Sequence, residues 1–309
     1  MKNILIKTMI GLALVAIPQF AGAQALPFTA VEKGVASLAM AGADAVETGS
    51  TAYSAFGNTA AVAFSESKLD AAAGYTMWGP TGGNILNAAA SFGLTKKLGV
   101  AAGFSYAMNP AYDIMGEGGA LSGQFTPSDM MLNAGVSYKI LPILSVGANV
   151  GYASSTLAEG YSYGALNADV FAMAKIKGLK AAVGISNIGS SVTSVSGAKF
   201  SLPTSLTVGA GYSAKFADKH AVDAQVDIDY YFEGAVSTAL GAGYTFNDMV
   251  SLKAGYRVGG DSVLPSFASV GAGVKFMGLK LDVAYLIGSE NMKNTLAVGL
   301  GYTIKLSHL

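Results

Sequence analysis

Residues 144–152 read Leu-Ser-Val-Gly-Ala-Asn-Val-Gly-Tyr. Leu144, Val146, Ala148, Val150 and Tyr152 alternate with Ser145, Gly147, Asn149 and Gly151. Successive side chains of a strand point to opposite faces, so this stretch has one apolar face and one small, polar face. Apolar outward to lipid and polar inward to a lumen is the pattern of a strand in an outer-membrane barrel. The C-terminal stretch repeats it. Leu296, Val298, Leu300, Tyr302, Ile304 and Leu306 alternate with Thr295, Ala297, Gly299, Gly301, Thr303 and Lys305. Its final run, Gly301 to Leu306, is similar to the terminal strand signal read by barrel-assembly machinery, although Ser307-His308-Leu309 extend past the usual terminal aromatic.

Working outward from these two stretches, strands are expected near Lys68–Trp78, Asn84–Thr95, Leu98–Met108, Ser128–Ile140, Ile143–Ser155, Tyr161–Ile176 and Gly178–Ile188. More follow near Thr204–Phe216, His220–Tyr231, Ala235–Phe246, Val250–Val258, Ser266–Phe276, Leu279–Ile287 and Lys293–Leu306. The total, about fourteen, is even, as single-chain bacterial barrels require. Every second connection is very short: Lys96-Lys97, Leu141-Pro142, Lys177-Gly178, Ala217 to Lys219, Asn247 to Met249 and Met277-Gly278. The others are longer, above all Asn109 to Pro127 and Gly189 to Pro203. Short turns belong to the periplasmic side and long loops to the outside, which puts both termini in the periplasm. Tyr138, Tyr212, Tyr244 and Tyr302 then mark one membrane interface, and Tyr106, Tyr152 and Tyr256 the other.

Composition agrees. The chain is 51% hydrophobic with mean hydropathy +0.44 and only 12% charged residues. Such values normally announce membrane helices, yet after residue 23 no apolar run approaches the roughly 18 residues a spanning helix needs. A sheet in lipid must pair all its backbone groups and therefore closes on itself. A soluble sandwich would share the period of two, but not this hydropathy.

At the N-terminus, Lys2 and Lys7, the apolar run Met9–Phe20 and Ala21-Gly22-Ala23 form a secretory leader, so residues 1–23 are expected to be cleaved. Lysines plus arginines number 19, as do aspartates plus glutamates, and the leader carries two of the former and none of the latter. The slightly negative mature chain offers nothing to nucleic acid. Between the leader and the wall of residues 67–309 lies 24–66. Its part from Gly34 to Ser65 is Ala/Gly-rich, lacks alternation and suits a plug or hatch in the lumen. A wall of this strand number with small inward residues leaves space that must be packed or wet. Met40, Gly42, Ala43 and Asn58 are the expected hatch residues: Gly42 and Ala43 for close approach, Met40 to fill a gap, Asn58 for a tight turn before the first strand.

The lumen face carries one charged constellation. Asp223, Asp227 and Asp229 share a face of one strand with Gln225, and Lys253 and Arg257 lie two strands away across Ser237, Ala239, Gly241 and Gly243. Asp282, with Lys280, is placed in the same network. Interior ion pairs, a channel wall or a docking surface for the hatch all fit this set. Catalytic material is scarce. With two histidines, His220 and His308, and no cysteine, neither a nucleophile-base pair nor a His/Cys metal site can be assembled, and no enzyme activity, cofactor or metal is expected. His220 beside a serine would be needed for a barrel lipase and is better read as a solvated turn residue.

Ser37 to Ala43 and Asn58 to Phe64 resemble the N-terminal signature of the PorV/PorQ family, FadL-like outer-membrane barrels of Bacteroidota, in which a Met-Gly-Gly-Ala stretch precedes an Asn-Pro-Ala-x-Leu-Ala stretch. Phe125-Thr126-Pro127, Asn187-Ile188-Gly189, Leu202-Pro203, Ala254 to Arg257, Gly271 to Gly273 and Asp282 to Tyr285 continue the resemblance. Ala41 and Thr59 depart from it, replacing a Gly and a Pro. The resemblance implies a fourteen-stranded barrel with its N-terminal segment in the lumen. It further implies either an interaction subunit of an outer-membrane complex, in type IX secretion or related surface-protein handling, or a FadL-like uptake channel for small hydrophobic molecules. A general porin would need a charged, wet constriction. The inward positions read as mostly Ala, Gly and Ser, which favours the non-enzymatic interaction subunit. Its expected partners are outer-membrane lipid and other outer-membrane or periplasmic proteins, with a hydrophobic small molecule as the alternative.

Overall fold

The computed structural model describes residues 24–79, 81–259, 265–288 and 294–305. The expected leader 1–23 and the tail 306–309, with His308, lie outside them. Eighteen strands are present: β1 Ser67–Trp78, β2 Gly83–Gly93, β3 Leu98–Met108, β4 Tyr112–Met115, β5 Leu121–Phe125, β6 Ser128–Leu141, β7 Leu144–Ala158, β8 Tyr161–Ile176 and β9 Leu179–Gly189. There follow β10 Val192–Thr193, β11 Lys199–Phe200, β12 Ser205–Phe216, β13 His220–Tyr231, β14 Val236–Phe246, β15 Val250–Val258, β16 Phe267–Phe276, β17 Leu279–Gly288 and β18 Thr295–Lys305. Fourteen of them form a closed antiparallel barrel, each paired with its neighbour in sequence once two small hairpins are set aside. Those hairpins, β4–β5 and β10–β11, sit within the two longest loops and went unread in the sequence. Closure is made by β1 on β18, from Leu69 opposite Ile304 to Met77 opposite Leu296.

Turn chemistry sets the register. Ala217-Asp218, Asn247-Asp248 and Met277-Gly278 have positive φ at both residues, the geometry whose twist matches two right-handed strands in a tight hairpin. Four wall seams carry a register shift, and the one between β8 and β9 lies deep in a strand pair. Between β8 and β9, Ala168 pairs with Ile188 but Val170 with Ile185, so Asp169 faces two residues. Asn187, with φ 56°, completes the bulge, and its amide donates to Asp169 Oδ1 at 2.7 Å.

Outward residues are large and bare. Val150, Leu166 and Leu300 are about two-thirds exposed, and Tyr138, Tyr152, Tyr212, Tyr256 and Tyr302 are exposed near the strand ends. No helix among the described residues is long and apolar enough to cross a membrane; the strands do so.

Residues 24–66 lie inside the barrel. Each apolar cluster there joins this segment to the wall. Val35, Leu38, Ala39 and Ala41 pack with Phe267, Ala284, Leu286 and Ala297. Val46, Ala60, Ala61 and Phe64 pack with Phe171, Met173 and Ala182. The short helix Val35–Leu38 and the 3-10 turns Ala52–Phe56 and Thr59–Phe64 are its only regular pieces after Pro27–Ala30. The path starts at the long-loop end, where the Ala25 amide donates to Ser201 O at 2.8 Å, and reaches the short-turn end at Ser67, opposite Lys305. The termini, expected together on the short-turn side, lie outside the described residues. β18 ends on that side, but the described N-terminal end is across the barrel, because Leu26 is drawn into an apolar cluster with Met131, Val192 and Leu202.

Candidate functional site

The lumen is the candidate site, and Arg257 is its hub. Alternation along β15 turns Arg257 inward, opposite Ala239 of β14, whose small side chain leaves the guanidinium room to reach across. Nε donates to Ala41 O at 2.9 Å and Nη2 to Gly42 O at 3.1 Å, while Nη1 donates to Ser237 Oγ at 2.8 Å and Asp229 Oδ2 at 3.1 Å. A planar fork with several fixed donors suits this four-way task better than a lysine would. Asp229 also accepts from Thr207 Oγ1 at 2.7 Å. Asp227, 2% exposed, accepts the Asp44 and Ala45 amides at 2.6 and 2.8 Å. With Ser269 Oγ, which accepts the Ala41 amide at 2.8 Å, three wall side chains thus hold the turn Ala41–Ala45 by its backbone.

That turn requires its residue types. Ala41 and Gly42 have φ 57° and 76°, so the position where the resembled family carries the first glycine of its pair here holds an alanine in the left-handed region. A Cβ on Gly42 would come within 2.9 Å of Arg257 Nη2. Met40 lies flat against Gly241 and Gly255 of the wall, where a Cβ on Gly241 would stand 2.7 Å from Met40 Cβ. Ala43 is fully buried in the same contact. Asn58 Nδ2 donates to Ala45 O at 2.6 Å, and its Oδ1 caps the following 3-10 turn through the Ala60 amide at 3.0 Å.

The structure therefore gathers Met40, Gly42, Ala43, Asp227, Asp229 and Arg257 at one place. It sets Asp223, Lys253 and Asp282 apart, towards the short-turn mouth, where they line a larger opening. Asn58 stands on the opposite pass of the segment. Several anchors were missed in the sequence. Asp70, 2% exposed, accepts from the Thr51 amide and Thr303 Oγ1. Asn133 Nδ2 donates to Ala55 O, and Asn149 Nδ2 to Gly57 O. For one of them the signal was present: Asn149 occupies an inward position of β7 among Ser145, Gly147 and Gly151.

Charges on the segment itself are strongly perturbed. Burial lowers the Lys33 ammonium to about 8, although Glu32 and Asp129 oppose this, and its Nζ donates to Phe28 O and Val31 O. Burial and the nearby Glu32 and Asp227 carboxylates push Asp44 well above the ordinary range. For Glu47, burial acts upward but is outweighed by Lys253, Lys180 and the Gly49 amide, which hold it at about 2.

Two internal cavities remain around the segment. One of about 120 Å³ lies among Val35, Met40, Tyr53 and Phe56, with Lys33, Glu32 and Asp70 also on its surface. The second, about 110 Å³, is bounded by Phe56, Phe171, Tyr231 and Phe267, with Asn187, Asp229 and Arg257 at its polar side. The inward face is thus not confined to Ala, Gly and Ser. Phe171, Met173, Met131, Phe267 and Tyr231 are buried and point into the lumen, which corrects the sequence reading. On β8 the outward positions Gly164, Ala168, Ala172 and Ala174 are small, so the face carrying Phe171 and Met173 could not be told from the lipid face by size.

The closed fourteen-stranded antiparallel barrel of this chain is FadL-like in fold. Its fold is similar to the Ralstonia pickettii toluene transporter TbuX, with TM-score 0.59 and 11% identity over 89% of this chain and 98% of that one. It is similar to the Pseudomonas putida toluene transporter TodX, with TM-score 0.58 and 15% identity over 90% and 99%. A Pseudomonas aeruginosa FadL homologue follows with TM-score 0.53 and 12% identity over 93% and 100%. No family model matches the sequence, and no curated protein does. These likenesses show the fold. They also overturn the expected interaction subunit: solved barrels of similar fold are described as toluene transporters, and aromatic and methionine side chains are found in the lumen here.

Proposed function

We propose that the protein is an outer-membrane channel through which small hydrophobic molecules pass, with residues 24–66 as its hatch and 67–309 as its wall. The observation that carries this reading is the cavity of about 110 Å³ bounded by Phe56, Phe171, Tyr231 and Phe267. An apolar cavity of roughly 150 Å³ holds a benzene ring, so this smaller space, which Glu32, Asp44 and Asp227 also line, must widen as the hatch moves to pass such a molecule. Arg257, Asp229 and Asn187 at its edge would accept a single polar substituent. The short turns face the periplasm in this reading and the long loops the outside, after removal of 1–23. The finer kinship with the PorV/PorQ branch is supported by the order of its short motifs along the strands.

The test is uptake. Cells carrying the protein in the outer membrane should accumulate radiolabelled toluene faster than cells with an empty vector. Phe171→Ala should change that rate while the barrel still shows heat-modifiable mobility in electrophoresis. Uptake no faster than in the empty-vector cells would defeat the reading.

A further inference from the structure

Strand alternation turns Lys175, Lys180, Lys253, Lys275, Lys280 and Lys305 inward at the short-turn end of the wall, where all six line an opening of about 600 Å³. Two pairs face each other directly across the ladder: Lys175 opposite Lys180, and Lys275 opposite Lys280. Like charges at directly opposed positions destabilise a sheet, and a serine or alanine would avoid the cost. Among the described residues the ion pairs within 4 Å are Lys215–Asp248 and Arg257–Asp229, so none of the six is paired at contact distance. Lys180 is the sharpest case. It is 7% exposed, and its ammonium has no hydrogen-bond partner among the described residues.

Carboxylates are present but outnumbered. Glu47, Glu66, Asp223 and Asp282 line the same opening, and Asp248 is taken by Lys215, itself exposed at the rim. The surplus field reaches the hatch, where it holds the Glu47 carboxyl at about 2 against the effect of its burial. Ammonium groups on flexible stems act as point charges able to converge on several oxygens, whereas no guanidinium is present to select a planar carboxylate. The opening is also of ligand size.

We infer that the short-turn mouth is a binding site for a multivalent phosphate-bearing anion, held by Lys175, Lys180, Lys253, Lys275, Lys280 and Lys305 in the space below the hatch. This opening shares no lining residue with the cavity bounded by Phe171 and Phe267, and Phe267 stands at the other end of its strand from Lys275.

Titration calorimetry on the full-length protein in zwitterionic detergent, with inorganic pyrophosphate at low ionic strength, tests it. The intact protein should bind saturably, and added sodium chloride should weaken the affinity. Replacing Lys175, Lys180, Lys275 and Lys280 together by glutamine should weaken binding by about tenfold or more, and Lys215→Gln by less than about twofold. Heat-modifiable mobility verifies that each variant is a folded barrel, and the pair Lys275→Gln with Lys280→Gln serves if the fourfold variant does not assemble. Repeating the titration in nanodiscs separates the sources. Competition by phosphatidylglycerol, absent with phosphatidylcholine, identifies a lipid headgroup as the natural occupant, and equal binding in both identifies a soluble phosphate. No pyrophosphate binding to the intact protein, or undiminished binding to the folded lysine variants, overturns the inference.

Discussion

Replacing Arg257 by methionine keeps an unbranched apolar stem and removes the guanidinium donors. Ala41 O and Gly42 O each lose a bond of about 3 Å, and Asp229 keeps only Thr207 Oγ1. A buried carbonyl left without a donor costs about 1–3 kcal/mol, and the adjoining cavity of about 110 Å³ admits water, which places each at the lower end. Removing one partner of a buried ion pair adds more, so the turn Ala41–Ala45 loses about 3 kcal/mol of its hold on the wall. Asp227 still accepts the Asp44 and Ala45 amides, so the segment loosens without leaving. The readout is hydrogen exchange by mass spectrometry over residues 39–45. Protection there should fall about 100-fold, with β6 and β7 unchanged. If a folded Arg257→Met barrel keeps its protection within about threefold, the segment is held by packing alone and the four-way hub is a bystander.

Deleting Val35 to Thr59 should leave an assembled barrel whose conductance in planar bilayers rises from near zero to a clear open level; an intact protein that already conducts like a porin contradicts the hatch. Gly255→Val should raise conductance as well, because a Cβ there would meet the Met40 backbone, whereas Gly123→Ala, with open space around it, should not. For Lys33 the buried ammonium titrates near 8 against the ordinary 10.5, so between these values the unfolded chain binds the extra proton and docking of the segment strengthens as pH rises. Hydrogen exchange over residues 34–40, corrected for intrinsic rates, should show that gain between about pH 8 and 10.5, and Lys33→Met should abolish the pH dependence.

The wall could be read residue by residue wherever outward side chains are bulky and inward ones small, as on β7 and β18. There the period of two gives register and face together. On β8 the contrast is lost, with Gly164, Ala168 and Ala172 outward beside Leu166 and Val170 and with Phe171 and Met173 inward, and with it went the aromatic lining of the lumen. The hairpins β4–β5 and β10–β11 are too short and too polar to carry a periodic signal. The charged pair Arg257–Asp229 follows from counting inward positions across three strands, but its grip on the Ala41 and Gly42 carbonyls does not, since an irregular segment announces no partner. Nor do scattered lysines predict a vestibule. Only closure of β1 on β18 brings residues from β8 to β18 around one mouth.

The route of residues 24–66 has a consequence for how the molecule is made. Ala25 is tied to Ser201 at one end of the cylinder and Ser67 starts the wall at the other, so the chain end has travelled the whole bore. Two of its bonds to the interior, Ala41 to Ser269 and Asp44 to Asp227, span 228 and 183 residues of sequence. Contacts of such separation form late, after the loop entropy of nearly the entire polypeptide has been spent. If β18 met β1 first, the free N-terminus would have to thread a finished tube from the narrow-turn side. If the segment is laid down among the growing strands instead, the last seam zips shut around it, and the assembly apparatus handles an occupied half-cylinder and never an empty ring.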